Sequence, residues 1–313
     1  MIAGQANSIR ILVVGLLCLA SGIGIYFAFG RSDSLPPSLS IDATEQDLPE
    51  SILVPGGLYV IGNDTGPRDS RPSRQIKLSP FAIDRTEVTN AMFAAFVEAT
   101  GYRTDAERRG ESLCFDNKSL SFVTQKDAHW RQPGGPGSSI LGKEDYPVVH
   151  VSWYDANAYA SWAGKSLPTE FQWEAAARGK SLGNSYPWNS EANVEPHERA
   201  NLWQGEFPIH DQARDGYHGL AAVGSFPAST HGIYDLAGNV AEWTSSHYAA
   251  DSYDGIAKEN PTGPSRGEMR VVRGGSWLSS DQTGTSEAHV WYRGKLTPDT
   301  SNNFTGFRCV SPP

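Results

Sequence analysis

Three side chains late in the chain have the types that hold a redox metal: Asp281, Glu287 and His289, with Ser276, Ser279, Ser280 and Arg293 in the same stretch. One histidine and two carboxylates can form the facial triad of a non-haem iron centre. Such a triad needs fixed directions. The steps from 281 to 287 to 289 fall in an irregular stretch, so the spacing alone does not specify iron. The eight histidines include no His-x-His or His-x-x-x-His pair, and His150, just ahead of a helix cap, reads as structural. Three cysteines (Cys18, Cys114, Cys309) cannot build a four-thiolate zinc site or a disulfide scaffold.

The elements that would position these groups are few. Thr89 caps a predicted helix through Ala99, with Met92, Phe93, Phe96 and Val97 on one face and Gly101 after it. Ser152 with Asp155 three residues on marks a second start, with a stripe of Trp153, Ala156, Tyr159, Ala160 and Trp162 and a left-handed stop at Gly164. Thr169 with Gln172 marks a third, carrying Phe171, Trp173, Ala176 and Ala177 and ending at Gly179. Elsewhere short apolar runs alternate with Gly, Pro, Asn and Asp, which predicts short strands and long loops rather than a doubly wound sheet.

The 313 residues carry 26 Lys+Arg against 35 Asp+Glu, a net charge of −9, which with no basic run argues against a nucleic-acid partner. Ile11 to Gly30 is an uncharged run of 20 residues between Arg10 and Arg31. As a helix it would reach about 30 Å, the hydrocarbon thickness of a bilayer. Residues 1–31 are therefore expected to be a membrane anchor, or a signal segment cleaved after Ala28-Phe29-Gly30. Residues 32–50, rich in Ser, Pro and Asp, read as a linker, and 51–313 as one domain.

The ordered motifs of that domain carry a family pattern. Pro55-Gly56-Gly57, Asp84-Arg85-Thr86-Glu87-Val88-Thr89-Asn90, Pro147-Val148-Val149-His150-Val151-Ser152-Trp153 and Trp162-Ala163-Gly164-Lys165 come in sequence. Asn201-Leu202-Trp203, Gly238-Asn239-Val240-Ala241-Glu242-Trp243, Arg273-Gly274-Gly275-Ser276-Trp277 and Gly306-Phe307-Arg308-Cys309 follow. From Leu53 to Val310 the chain resembles the sulfatase-modifying factor, or formylglycine-generating enzyme, family. The resemblance implies an α+β fold of C-type lectin-like kind, loop-rich, with short strands and a few helices.

Active members of that family oxidise the cysteine of a Cys-x-Pro-x-Arg segment to an aldehyde, using Cu(I) on two thiolates soon after the Gly-Gly-Ser motif. Here the two positions hold Ser279 and Gly284. A hydroxyl is a hard ligand and a glycine has no side chain, so the soft Cu(I) site is absent and copper is not expected. Ser276 is left as a groove candidate. Cys309 matches a family half-cystine whose partner position is Ala160 here, so Cys114 and Cys309 either pair with each other or stay free.

The resemblance also implies two structural Ca²⁺ sites: one on Asn201, Asp215 and the carbonyls of Leu202 and Tyr217, the other on Asp235, Glu242 and the carbonyls of Gly238 and Val240, with Glu87 as a further ligand. Such a mixture of carboxylate, amide and carbonyl oxygens suits a hard cation. The expected function is then a membrane-tethered, calcium-braced binding or accessory protein outside the cytoplasm, in a periplasm or secretory lumen, or secreted after cleavage. A sulfatase or an active paralogue would occupy its groove. The alternative is a periplasmic oxidoreductase of the same family with thiol-independent chemistry, such as siderophore chromophore maturation.

Overall fold

The computed structural model describes residues 48–179, 184–188, 195–280 and 286–313. Its first strand, β1 (Ser51–Val54), pairs antiparallel with β4 (Phe81–Asp84), which also takes β11 (Val310–Ser311) on its other edge. The N- and C-terminal ends of the domain are thus tied into one sheet. Between β1 and β4, β2 (Gly57–Ile61) and β3 (Arg74–Leu78) form a hairpin, and a second hairpin joins β5 (Glu111–Asp116) to β6 (Ser121–Lys126). The sheet that carries the site runs β10 (Thr305–Gly306), β7 (Ala241–His247), β8 (Arg270–Arg273) and β9 (Gly294–Leu296). In it Glu242 lies opposite Arg273, and Trp243 opposite Val272.

The three helices expected from capping signals form where the local chemistry directs. In α1 (Asn90–Thr100) Thr89 accepts from Met92 N, and Gly101 stops the helix in the left-handed conformation at φ 66°. Reciprocal capping boxes open α3 (Trp153–Trp162), through Ser152 and Asp155, and α4 (Glu170–Arg178), through Thr169 and Gln172. Each satisfies two amides that a helix start leaves without partners. A short α2 (Asp105–Arg109), capped by Thr104 and Glu107, was not expected, because five residues show no apolar period.

Two apolar clusters hold these elements. One gathers Phe171 and Trp173 of α4 with Ile61, Ile76, Ile83 and Tyr253. The other packs Phe93 and Phe96 of α1 against Tyr159 of α3, Trp130, Trp243 and Phe307. Its rings meet edge-on, as in Phe93 against Trp130 at 5.3 Å and Tyr159 against Phe307 at 5.3 Å. Burying a side chain of this size contributes about 1.5–3 kcal/mol, and edge-to-face contact roughly another 0.5–1.5. The Trp and Phe content therefore stands in for the regular secondary structure that the loops lack.

The expected membrane segment, Ile11–Gly30, lies outside the described residues. Among the described residues no helix is long and apolar enough to cross a membrane. The expectation of a membrane-anchored domain, and of a location outside the cytoplasm that followed from it, is corrected accordingly: nothing described ties the domain to a bilayer.

Candidate functional site

Strand β8 delivers the site. At its end the Arg273 guanidinium donates to Glu174 Oε2 at 2.5 Å and to the Val290 carbonyl in the interior, and to the part-buried Tyr292 carbonyl. The chain then turns through Gly274 and Gly275, at φ 89° and 68°. A Cβ on Gly275 would lie 2.8 Å from both Ser279 Oγ and Ala288 N, so only glycine allows the approach. Past this point the loop closes on itself: Ser276 N donates to Ser279 Oγ at 3.0 Å, and Ser279 N to Ser276 O at 2.8 Å. Trp277 N reaches Asn239 O, and Trp203 N reaches Ser279 O, each at 3.0 Å.

Ser276 and Ser279 are buried, at 3% and 2% exposure. The Ser279 hydroxyl donates to Glu287 Oε2 at 3.0 Å. Glu287 is an exposed residue whose carboxyl end turns inward onto Ser279, and desolvation there raises its pKa against the opposing pull of the Ser279 bond. The result is a hydroxyl–carboxylate pair able to take up or release one proton at the position of the family's first thiol. The second thiol position, Gly284, and Asp281 of the iron reading lie outside the described residues.

The other members of the iron reading are engaged elsewhere. His289 is buried between Tyr186 and Trp291, its ring 4.9 and 4.5 Å from theirs. Its Nδ1 accepts from Ser286 N, and desolvation holds its pKa down at about 4, so it is neutral near pH 7. Arg293 forks onto both oxygens of Glu170 at 2.6 and 2.9 Å, clamping α4 to the loops around it. His150 is structural as expected, with Nδ1 on Ser112 Oγ at 2.8 Å and Nε2 on Pro133 O at 2.9 Å. Gly263-Pro264-Ser265-Arg266-Gly267 has the spacing of a nucleophile elbow, but it lies in an exposed loop rather than at a strand–turn–helix junction. Cys114 and Cys309 are both free and buried, so of the two alternatives the unpaired one holds.

The residues of the two implied cation sites meet different fates. Asp215 is satisfied by protein donors: Oδ2 accepts from Leu202 N at 3.0 Å and Gln204 Nε2 at 2.7 Å, and Oδ1 from Tyr217 N at 2.9 Å. The Leu202 carbonyl is also held by Gln204 Nε2. Asn201 donates to Gly219 O and to Asn239 Oδ1. Around Asp215, then, amides occupy the directions a cation would use.

In the second group both oxygens of Glu242 are taken by the Arg308 fork, at 2.7 and 2.8 Å, with Trp173 Nε1 donating to Oε2 at 2.8 Å. Asp235 accepts from Gly224 N at 2.7 Å. Glu87 is fully buried; Oε1 accepts from Asn239 Nδ2 at 3.1 Å, and Oε2 has no partner. Burial and the neighbouring Asp235 drive the Glu87 pKa well up. Two adjoining carboxyls, one with an oxygen that lacks a donor, must share a proton or take a hard cation, and the raised pKa of each is that of a pair sharing a proton; Asp215 and Glu242 are already met by protein donors. Gly238 keeps this loop close, since a Cβ there would lie 2.1 Å from Asn201 O. The sequence reading missed Asn239, which joins Asn201 to Glu87, and Arg308, which neutralises Glu242.

The sulfatase-modifying factor enzyme 1-like domain family matches residues 37–312. The chain belongs to this family. It is 42% identical over 283 residues to the formylglycine-generating enzyme of Thermomonospora curvata, covering 84% of this chain and 93% of that one. To the protein named inactive C-alpha-formylglycine-generating enzyme 2 of Bos taurus it is 43% identical over 279 residues, covering 83% and 87%. Among solved structures it resembles PvdO from Pseudomonas aeruginosa, with a TM-score of 0.63 at 25% identity, over 85% of this chain and 95% of that one. The loop-rich α+β expectation for this family member without a paired catalytic cysteine is therefore met.

The expected function and partners are corrected. No group of three or more His, Cys, Asp or Glu side chains placed to hold a metal occurs among the described residues. With no membrane-crossing helix described either, a membrane-tethered, calcium-braced accessory protein is not what these features support. Nor do they support a groove for a sulfatase or paralogue. Surface cavities of about 330 and 260 Å³ are lined by residues of α1 and the 139–144 segment, and by residues around Arg109 and Ser301. Neither includes Ser276 or Ser279.

Proposed function

We propose that this chain is an oxidoreductase of the sulfatase-modifying factor family whose chemistry does not use a thiol pair, of the kind that matures a siderophore chromophore. Sequence identity alone does not choose between activities, since relatives named as generating enzymes and as inactive are matched almost equally. The observation that carries the reading is the Ser279–Glu287 contact: a proton-transferring pair stands where the copper thiolate would be. The likeness to PvdO over 85% of this chain supports the same reading at the level of fold and family.

In this reading a substrate loses two electrons and two protons, and dioxygen takes up both electrons and both protons to become hydrogen peroxide; Glu287 receives one of those protons from the substrate and passes it on, and the other goes through solvent. An oxidisable o-dihydroxyarene of the siderophore-chromophore type has electrons available at potentials that dioxygen can accept. Structural Ca²⁺ on Glu87 and Asp235 is a separate part of the proposal; among the described residues only two acidic side chains meet there, so carbonyls and water would supply the remaining oxygens. The test is oxygen uptake and peroxide formation with an o-dihydroxyarene-bearing peptide, beside conversion of a Cys-x-Pro-x-Arg peptide to its aldehyde. Peroxide from the first and an unchanged second peptide support the reading. Aldehyde formation, or no turnover of the first, overturns it.

A further inference from the structure

His150 is fully buried, yet a row of hydroxyls leads from its ring toward the surface. Its backbone is left-handed, at φ 61°, and is held there by His150 N donating to Asn302 O at 2.7 Å. The ring lies between the Pro133 carbonyl, 2.9 Å from Nε2, and the Ser112 hydroxyl, 2.8 Å from Nδ1. Ser112 Oγ meets Ser301 Oγ at 2.8 Å, and Ser301 Oγ accepts from Arg109 Nη2 at 2.6 Å. Ser112 and Ser301, both buried, line the surface cavity of about 260 Å³ together with exposed Arg109.

The donors in this row have one consistent order. Pro133 O can only accept, so Nε2 carries the ring proton and Nδ1 accepts from Ser112. Ser112 has then spent its proton, so the Ser301 hydroxyl donates to Ser112. Both hydroxyls point inward. A proton arriving on Nδ1 reverses them: Nδ1–H donates to Ser112, Ser112 to Ser301, and the Ser301 proton turns to water. Ser301 Oγ has a second lone pair and keeps the Arg109 bond throughout.

The other ionisable groups near the ring offer no competing route. Cys114 of β5 shares the Pro133 carbonyl at 3.7 Å, and burial pushes its thiol up to about 11. His129 only opposes a charge on His150. Arg109, Glu111 and Asp299 stand at the cavity end of the row, where Arg109 Nη1 also donates to Asp299 O at 2.8 Å.

We propose that Ser301 and Ser112 form a proton relay between this cavity and His150, through which the buried imidazole gains and loses a proton while the domain stays closed. In the inward direction water in the cavity gives a proton to Ser301, Ser301 gives its own to Ser112, and Ser112 gives its own to Nδ1. One proton crosses, no electron moves, and both serines end neutral. The relay includes neither Ser279 nor Glu287 and stands without the oxidative reading.

The test is nitrogen relaxation dispersion of the His150 ring in the full chain at about pH 5, where its midpoint near 4 leaves a minor protonated population. Ring protonation should exchange at least tenfold faster than the opening rate read from deuterium exchange of the His150 amide. Ser301→Ala should slow it at least tenfold, with the melting temperature and the midpoint little changed. Ser301→Thr, which keeps the hydroxyl, should restore the rate. Ring exchange no faster than amide opening, equal rates in the parent and Ser301→Ala, or a threonine variant as slow as the alanine one would overturn the relay.

Discussion

Ser279 Oγ and Glu287 Oε2, 3.0 Å apart, bring together two residues whose backbones are held close by Gly275. In the active enzymes of the family this position carries a copper thiolate. Here it carries a proton donor bonded to a carboxylate. Because the Glu287 pKa is raised, the ionised form that accepts a proton is lost as pH falls through a value above the ordinary glutamate range. Turnover of the o-dihydroxyarene peptide should therefore decline on acidification with a midpoint above that range. Glu287→Gln should lower kcat about 100-fold or more, with the melting temperature little changed. A flat pH profile, or a variant as fast as the parent, would remove Glu287 from the reaction.

The fork of Arg308 onto Glu242 lies wholly in the interior, where an abandoned charge is expensive. Glu242→Gln leaves the guanidinium without its counter-ion and should lower stability by about 3–5 kcal/mol in urea unfolding. A loss below about 1 kcal/mol would show that the pair is dispensable.

Pro133 O can only accept, so His150 Nε2 carries the proton and Nδ1 receives the Ser112 hydroxyl. Burial depresses the His150 pKa to about 4. The unfolded chain binds this proton near pH 6.5 and the folded one does not, so His150 contributes stability that is complete above pH 6.5 and lost as pH falls toward 4. Asp155, lifted to about 6 by desolvation, works in the opposite sense and loses its contribution as pH rises through that value. The clean readout is the imidazole itself: its nitrogen shifts should stay those of the Nε2-protonated neutral ring down to about pH 4. A midpoint near 6.5 would contradict the buried geometry.

If Glu87 and Asp235 hold Ca²⁺, the cation should raise the melting temperature by several degrees at a hundredfold excess over its Kd, where linkage amounts to about 2.7 kcal/mol. Glu87→Gln should abolish that response, and Asp215→Asn should leave it intact because Asp215 is already met by amides. A calcium response lost in Asp215→Asn and kept in Glu87→Gln would reverse the assignment.

What the sequence disclosed followed distance along the chain. Thr89, Ser152 and Thr169 act on amides three residues away, so the helices they open were legible. The ionic partners were not. Glu242 meets Arg308 across 66 residues, Glu174 meets Arg273 across 99, and Glu170 meets Arg293 across 123. No local rule joins such positions, and Glu242 looked like a cation ligand for want of its arginine. Glu287 was visible only as one corner of an iron triad. Its place beside Ser279 depends on the fold of the 274–279 loop, which one-dimensional spacing does not convey.

Oxygen uptake with the o-dihydroxyarene peptide in excess Cu(I) chelator, run on the parent chain and on Glu287→Gln, tests thiol-independent oxidation most directly. The parent should keep its full rate with the chelator present, and Glu287→Gln should be close to the uncatalysed rate. Abolition of the parent's activity by the chelator, or full activity in Glu287→Gln, would contradict it.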